Sequence, residues 1–316
     1  MNKLKLLPMK RGSYIRISLL MVFLLTGVRC LAQQDPMYSQ YMFNGLMINP
    51  AYAGSHEAMS ATILYRNQWQ NIPGAPKTGT LTLDAPLKSE KVGLGLNLLV
   101  DKIGITRKTG IMGAYSYKIK FKESVLAAGL QMGYNFVTSD YTSVQYSENG
   151  NQYDDAFMQD IHEKYPSFGM GLYYYTNRFY AGLSIPEFGS FFFGKPSYKL
   201  DQSVHYFLTS GYVFDLSQDI KFKPSILAKY VNGAPVTMDF NATAWFFDFF
   251  ALGASYRSGS SVNMFTEIKM TPQLYLGYAY EYAYTDLRNF NTGTHELMLR
   301  YDFSFSRSKV LTPRYF

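Results

Sequence analysis

The sequence predicts an all-β fold, a transmembrane antiparallel β-barrel of about 14 strands with an N-terminal plug-like segment. Three observations predict it. Hydrophobic residues beyond about residue 57 recur with a period of two rather than 3.6. The segments that alternate in this way form an even-numbered set, as an antiparallel barrel with both termini on one side requires. Short and long connections take turns along the chain, matching the two unlike rims of an outer-membrane barrel.

In chain order, residues 1–32 come first. Lys3, Lys5, Lys10, Arg11 and Arg16 surround the start of an apolar run at 17–28, and Cys30-Leu31-Ala32 precedes Gln33. A basic stretch, a short apolar run and a small residue before the cut make a secretory signal peptide, removed near Ala32. The run is shorter than the ~20 apolar residues of a spanning helix, and Arg29 occupies the place where lipid attachment at Cys30 needs a small residue. Removing this segment changes the charge balance. The chain has 30 Lys+Arg against 23 Asp+Glu, and six of the positive charges lie in the first 32 residues, which contain no acid. The remainder is nearly neutral, so the composition predicts no nucleic-acid partner. It also contains no cysteine, which excludes disulfides and thiol chemistry.

Residues 33–56 show no alternation and are rich in Tyr, Asn and amides. Ser39 is placed to cap a short helix over Gln40–Met47, which Asn49-Pro50 would end, because a residue before proline avoids the helical region. These polar and aromatic groups are poorly suited to lipid and suit a polar lumen, so the segment is expected to enter the barrel from the periplasmic side as a plug or brace.

The barrel is expected over 57–306, with strands at 58–69, 77–86, 91–100, 106–121, 124–138, 166–176, 178–186, 203–214, 219–231, 235–246, 249–257, 261–270, 273–284 and 294–305. In the last of these Leu297, Leu299, Tyr301, Phe303 and Phe305 alternate with Glu296, Met298, Arg300, Asp302 and Ser304. A soluble sheet would turn such an oily face inward, whereas a membrane barrel turns it to lipid. The connections favour the barrel. From a periplasmic start the even-numbered ones are short, and every long one (139–165, 187–202, 285–293) is odd-numbered. Clusters such as Tyr173-Tyr174-Tyr175, Phe246-Phe247 and Phe249-Phe250 are expected at interfacial girdles, while Phe191-Phe192-Phe193, in a predicted loop, suits a girdle, core packing or a docking surface alike. Lys118, Lys120, Lys221, Lys223, Lys229, Lys269 and Arg300 are expected on the lumen face with Asp239, Glu267, Glu281 and Asp302. Residues 307–316 are expected to form a C-terminal periplasmic extension ending in the aromatic Phe316, either a partner contact or a C-terminal assembly signal.

Nothing in the sequence suggests catalysis or a cofactor. His56, His162, His205 and His295 are isolated, and no phosphate-cradling loop, nucleophile elbow or thiol is present. The acidic stretch 148–160 lacks the spacing of a calcium loop and reads as a solvated surface loop.

The stretch QDPMYSQYMFNGLMINPAYAGS at 34–55 closely resembles the N-terminal signature of the PorP/SprF family, Bacteroidetes outer-membrane proteins of the type IX secretion and gliding-motility machinery. YRNQWQNIPGAPKT at 65–78, RFYAGLSIPEF at 178–188 and PRYF at 313–316 agree with it. The resemblance implies an outer-membrane protein that supports secretion, anchoring or display of a surface protein such as an adhesin. The implied partners are outer-membrane lipid, the other type IX secretion components and a secreted surface protein with a C-terminal sorting domain. Transport of small solutes or fatty acids through the barrel is the alternative. The motifs nominate Asp35, Pro36, Tyr38, Gln40, Tyr41, Asn44, Asn49, Pro50, Tyr52 and Gly54 as plug or partner contacts. Arg66, Gln68, Trp69, Gly74 and Pro76 are nominated with them, as residues that shape the first extracellular hairpin.

Overall fold

A computed structural model describes residues 37–56, 58–143, 159–188 and 204–303. Its strands are β1 (Met59–Asn67), β2 (Lys77–Pro86), β3 (Val92–Ile103), β4 (Thr106–Lys120), β5 (Val125–Ser139), β6 (Ile161–Tyr175), β7 (Phe179–Ile185) and β8 (His205–Tyr212). They continue as β9 (Phe214–Asp215), β10 (Ile220–Val231), β11 (Thr237–Phe246), β12 (Phe250–Arg257), β13 (Ser261–Lys269), β14 (Leu274–Ala283) and β15 (Thr294–Phe303). β8 and β9 both pair with β10 and are one stave interrupted at Val213, so the fold has fourteen staves. Each stave is antiparallel to the next, and β1 pairs with β15 from Met59–Phe303 to Asn67–His295, closing the barrel.

The period of two sorts residues between lipid and lumen. On β5, Leu130, Met132, Tyr134 and Phe136 face outward and are exposed, whereas Ala127, Gln131, Asn135 and Val137 are buried inside. On β15, Leu297 and Leu299 face outward while Glu296 and Met298 are buried. A closed ring pairs each stave with a neighbour on both sides, which satisfies the backbone groups that cross a bilayer. The outward apolar belt then supplies the lipid-facing surface of a transmembrane barrel.

The structure departs from the expected strands in two boundaries and two side-chain placements. β6 begins at Ile161 rather than 166 because Ile161–Tyr165 pair with Asn135–Ser139 despite their polar composition. Fifteen residues exceed the ~9–11 a membrane strand needs, so β4, β5 and β6 each stand beyond the bilayer. β3 extends to Ile103, where Asp101 points inward and accepts a hydrogen bond from Thr78 Oγ1 at 2.7 Å. Tyr173 and Tyr175 are not girdle residues: alternation turns both into the lumen, leaving Tyr174 outside. Lys120 is exposed at a turn and paired with Glu90 at 2.6 Å rather than lying in the lumen. The loops 144–158 and 189–203, which contain most of the acidic stretch and Phe191–Phe193, lie outside the described residues.

Candidate functional site

Residues 37–56 lie against lumen-facing side chains from both halves of the barrel. Tyr38–Asn44, Leu46 and Asn49–Ser55 are all buried. The backbone forms three 3-10 turns, Tyr41–Phe43, Gly45–Met47 and Pro50–Tyr52, instead of the expected helix over 40–47. Ser39 does not cap it, because its hydroxyl donates to Glu281 Oε2 at 3.0 Å. Asn49-Pro50 starts a turn rather than ending one. Asn49 Oδ1 accepts from Ala51 N at 2.9 Å, and Pro50 takes the first position, where its missing N–H is not needed.

Side chains around the barrel hold this segment. Tyr38 Oη bonds Thr80 on β2, Asn44 Nδ2 donates to Thr82 at 2.8 Å, and Asn49 Nδ2 donates to the Leu172 carbonyl on β6 at 2.9 Å. Asn241 Nδ2 on β11 donates to Tyr41 Oη at 2.7 Å. At the short-turn end, Gly54 N donates to Asp84 at 3.1 Å, Ser116 Oγ donates to the Ala53 carbonyl at 2.7 Å, and Lys118 Nζ bonds the Gly54 carbonyl. Burial pushes the Tyr38 and Tyr41 phenols up, so both stay neutral hydrogen-bonding groups.

The strongest ties are ionic. Arg66 bonds Glu296 and lies 3.1 Å from Glu281, while Arg257 lies 2.9 Å from Asp239 and 3.4 Å from Glu281. Arg66 and Glu296 are each 1% exposed. The backbone N–H groups of Ser39 and Gln40 donate to the two Glu296 oxygens at 2.6 and 3.1 Å, so the pair that links β1 to β15 also holds the segment. Charges this deep need both an opposite charge and hydrogen bonds, and the segment supplies part of the second. A second cluster joins Arg300 to Glu267 at 3.2 Å.

Glycines on the wall make room. A Cβ at Gly129 would fall 2.2 Å from Ala51 N, one at Gly93 1.9 Å from the Ala53 carbonyl oxygen, and one at Gly171 2.0 Å from Asn49 Oδ1. These inward positions could hold any small or polar residue in an empty barrel; here only hydrogen fits.

Arg66 therefore belongs to the lumen, not to the hairpin that motif reading assigned it to; at an inward position of β1 its guanidinium is committed to two buried carboxylates. Gln68, Trp69, Gly74 and Pro76 are in the first hairpin. Gln68 N donates to the Pro76 carbonyl at 3.0 Å, and the Gly74 carbonyl accepts from Gly104 N at 2.8 Å. Trp69 N donates to Thr294 Oγ1 at 3.1 Å. Gln70 exchanges backbone bonds with Thr292 and Gly293, so the hairpin ties the β14–β15 loop across the closing seam. Asp35, Pro36, Phe316 and residues 1–32 lie outside the described residues. Motif reading missed Glu296, Arg257 and Gly129. Their alternation parity marked them as lumen residues, but only the closed ring shows what they touch. Among the described residues no group of three or more His, Cys, Asp or Glu could hold a metal ion.

Known structures resemble this one in fold. The CymD monoaromatic hydrocarbon channel aligns with a TM-score of 0.51 at 12% identity, covering 86% of this chain and 94% of that one. The Acinetobacter baumannii outer membrane protein Omp33 aligns with a TM-score of 0.48 at 12% identity, covering 79% and 100%. The Ralstonia pickettii toluene transporter TbuX gives 0.49 at 8% identity, covering 84% and 93%. A search of curated proteins finds no match. The family model of the type IX secretion system membrane protein PorP/SprF matches residues 30–301. With that match spanning all but the two ends of the chain, this outer-membrane β-barrel belongs to the PorP/SprF family of type IX secretion system membrane proteins.

Proposed function

We propose that this protein is a non-enzymatic, closed barrel that, with other type IX components, anchors or displays a secreted surface protein carrying a C-terminal sorting domain. Export by a signal peptide cleaved near Ala32 and insertion among outer-membrane lipids precede this role. One observation carries the reading. The lumen is occupied by residues 37–56, bonded to staves on several sides and seated against Gly93, Gly129 and Gly171. A transport pore needs a continuous water path, whereas a scaffold needs a rigid wall and outward loops. The longest connections, 140–160 and 186–204, share one rim and are the surfaces expected to meet the displayed partner.

Planar-bilayer recordings separate this reading from a solute or fatty-acid channel. The full mature chain is expected to give no steady conductance, and removal of residues 37–53 to open one. A large steady pore in the intact protein would favour the channel. Deletion of the gene is expected to remove a sorting-domain protein from the cell surface. An unchanged surface proteome would defeat the display role.

A further inference from the structure

On β3 the outward residues Leu94, Leu96, Leu98 and Val100 form an apolar run that ends in Lys102. Two residues advance a strand by about 7 Å, a step that fits the roughly 5–8 Å of headgroup layer on each side of the hydrocarbon. Register sets two more cations beside Lys102. Lys77 on β2 stands directly opposite it, as does Arg107 on β4, and all three are outward and exposed at the long-loop rim. The row continues through Thr138 to His162 on β6, with Lys164 one outward step nearer the midplane. Like charges directly opposite one another weaken a strand pair, and that repulsion occurs twice here. Among the described residues no carboxylate pairs with Lys77, Lys102 or Arg107. Asp101 turns inward to Thr78, Glu187 pairs with Lys108, and Asp160 accepts from Thr142 at 3.0 Å. The row is also one-sided. Outward positions on β10 to β14 hold no lysine or arginine, and at their long-loop rim Phe240 faces Tyr256 and Val262 faces Tyr282. An aromatic girdle thus covers that side, and a cationic patch takes its place on β2–β4.

We infer that Lys77, Lys102 and Arg107 bind the phosphate headgroup of an anionic lipid, whose acyl chains lie on the outward row Leu81, Leu98 and Ile111 beneath them. One phosphate shared by adjacent strands turns two repulsive pairs into attractive contacts. The apolar run below the cations favours a lipid over a soluble anion, because it leads from the headgroup layer straight into hydrocarbon. The long-loop rim of such barrels faces the cell exterior, which puts the site in the outer leaflet. The inference rests on insertion among outer-membrane lipids and adds a headgroup and a place; it does not depend on the display role.

The test uses native mass spectrometry of the full mature chain from detergent micelles doped equally with dioleoyl phosphatidic acid and dioleoyl phosphatidylcholine. Each cation at an anionic surface contributes on the order of fivefold, so retained phosphatidic acid is expected to exceed phosphatidylcholine by at least about tenfold. Lys77→Gln/Lys102→Gln/Arg107→Gln, or Lys77→Gln/Arg107→Gln should the triple variant fail to fold, is expected to remove that preference. Lys88→Gln/Lys91→Gln/Lys122→Gln removes the same charge from exposed positions at the short-turn end and is expected to keep it. Equal retention of the two lipids by the unsubstituted protein overturns the inference while leaving insertion among lipids intact. A preference that survives in the folded row variant, or that is lost equally in the short-turn variant, also overturns it. So does displacement of phosphatidic acid by millimolar inorganic phosphate, which would make the row a site for the free anion.

Discussion

Replacing Arg66 by methionine tests whether the ionic cluster holds the lumen segment. Arg66 is 1% exposed and bonds Glu296, whose two oxygens otherwise accept from Ser39 N and Gln40 N at 2.6 and 3.1 Å. Glu281 keeps Arg257 at 3.4 Å, so Glu296 is the carboxylate left without its cation. Breaking a buried pair on one side costs about 3–5 kcal/mol because a charge stays buried without compensation. The route that relieves it is local opening, in which residues 38–43 leave and water reaches Glu296. At ~1.4 kcal/mol per tenfold, opening becomes roughly 10² to 4 × 10³ times more frequent. Cys30 is the one cysteine in the sequence, so in a Cys30→Ser background a single Met42→Cys, at a site 8% exposed, reports opening through its maleimide labelling rate. Labelling should accelerate by that factor in Arg66→Met and fall back substantially in Arg66→Met/Glu296→Gln, where no buried charge is left uncompensated and the amide oxygen still accepts from the segment. An acceleration below about fivefold, or a double variant as open as the single one, would refute the claim that this pair holds the segment.

Two further outcomes follow from local geometry. Gly129→Val should prevent the segment from seating, since its Cβ alone would stand 2.2 Å from Ala51 N, and Met42→Cys should then label freely; Gly79→Val, with nothing within 4 Å of its Cβ, should leave labelling unchanged. In the first hairpin Asn71 has a φ of 77°, where L side chains are strained by roughly 1–2 kcal/mol. Asn71→Gly should be neutral or slightly stabilising in thermal unfolding, and Asn71→Val should lower the midpoint.

Much of the fold can be read from the chain because its signals are local. Alternation in 274–284 and 294–305 places Leu276, Tyr278, Leu297 and Leu299 outside without knowledge of any neighbour, and the structure has them there. Lys223, Lys229, Asp239 and Glu281 were assignable to the lumen for the same reason, and all four are buried inside. Alternation failed where length depended on a partner. β6 reaches Ile161 only because β5 offers Ser139 as its mate, and no property of Ile161–Tyr165 alone announces a strand. Asn49-Pro50 was legible as a turn signal but not its sense, since proline suits the first position of a turn as well as the place after a helix.

The lumen site divides the same way. Composition marked 33–56 as unfit for lipid, and motif resemblance marked its tyrosines and asparagines, because both properties belong to the residues themselves. What these residues touch is set by closure. Ser39 meets Glu296 across 257 positions and Arg66 meets it across 230, and both contacts exist only because β1 pairs with β15 in one register. A shift of that seam by one residue would turn Glu296 to lipid and Leu297 to the lumen. The sequence alone thus determined the barrel, its lipid-facing coat and its long-loop rim, all of which follow from periodicity two and loop length. The tertiary structure alone decided which charges hold the lumen segment and which glycines admit it, because those depend on distances between staves that only a closed ring brings together.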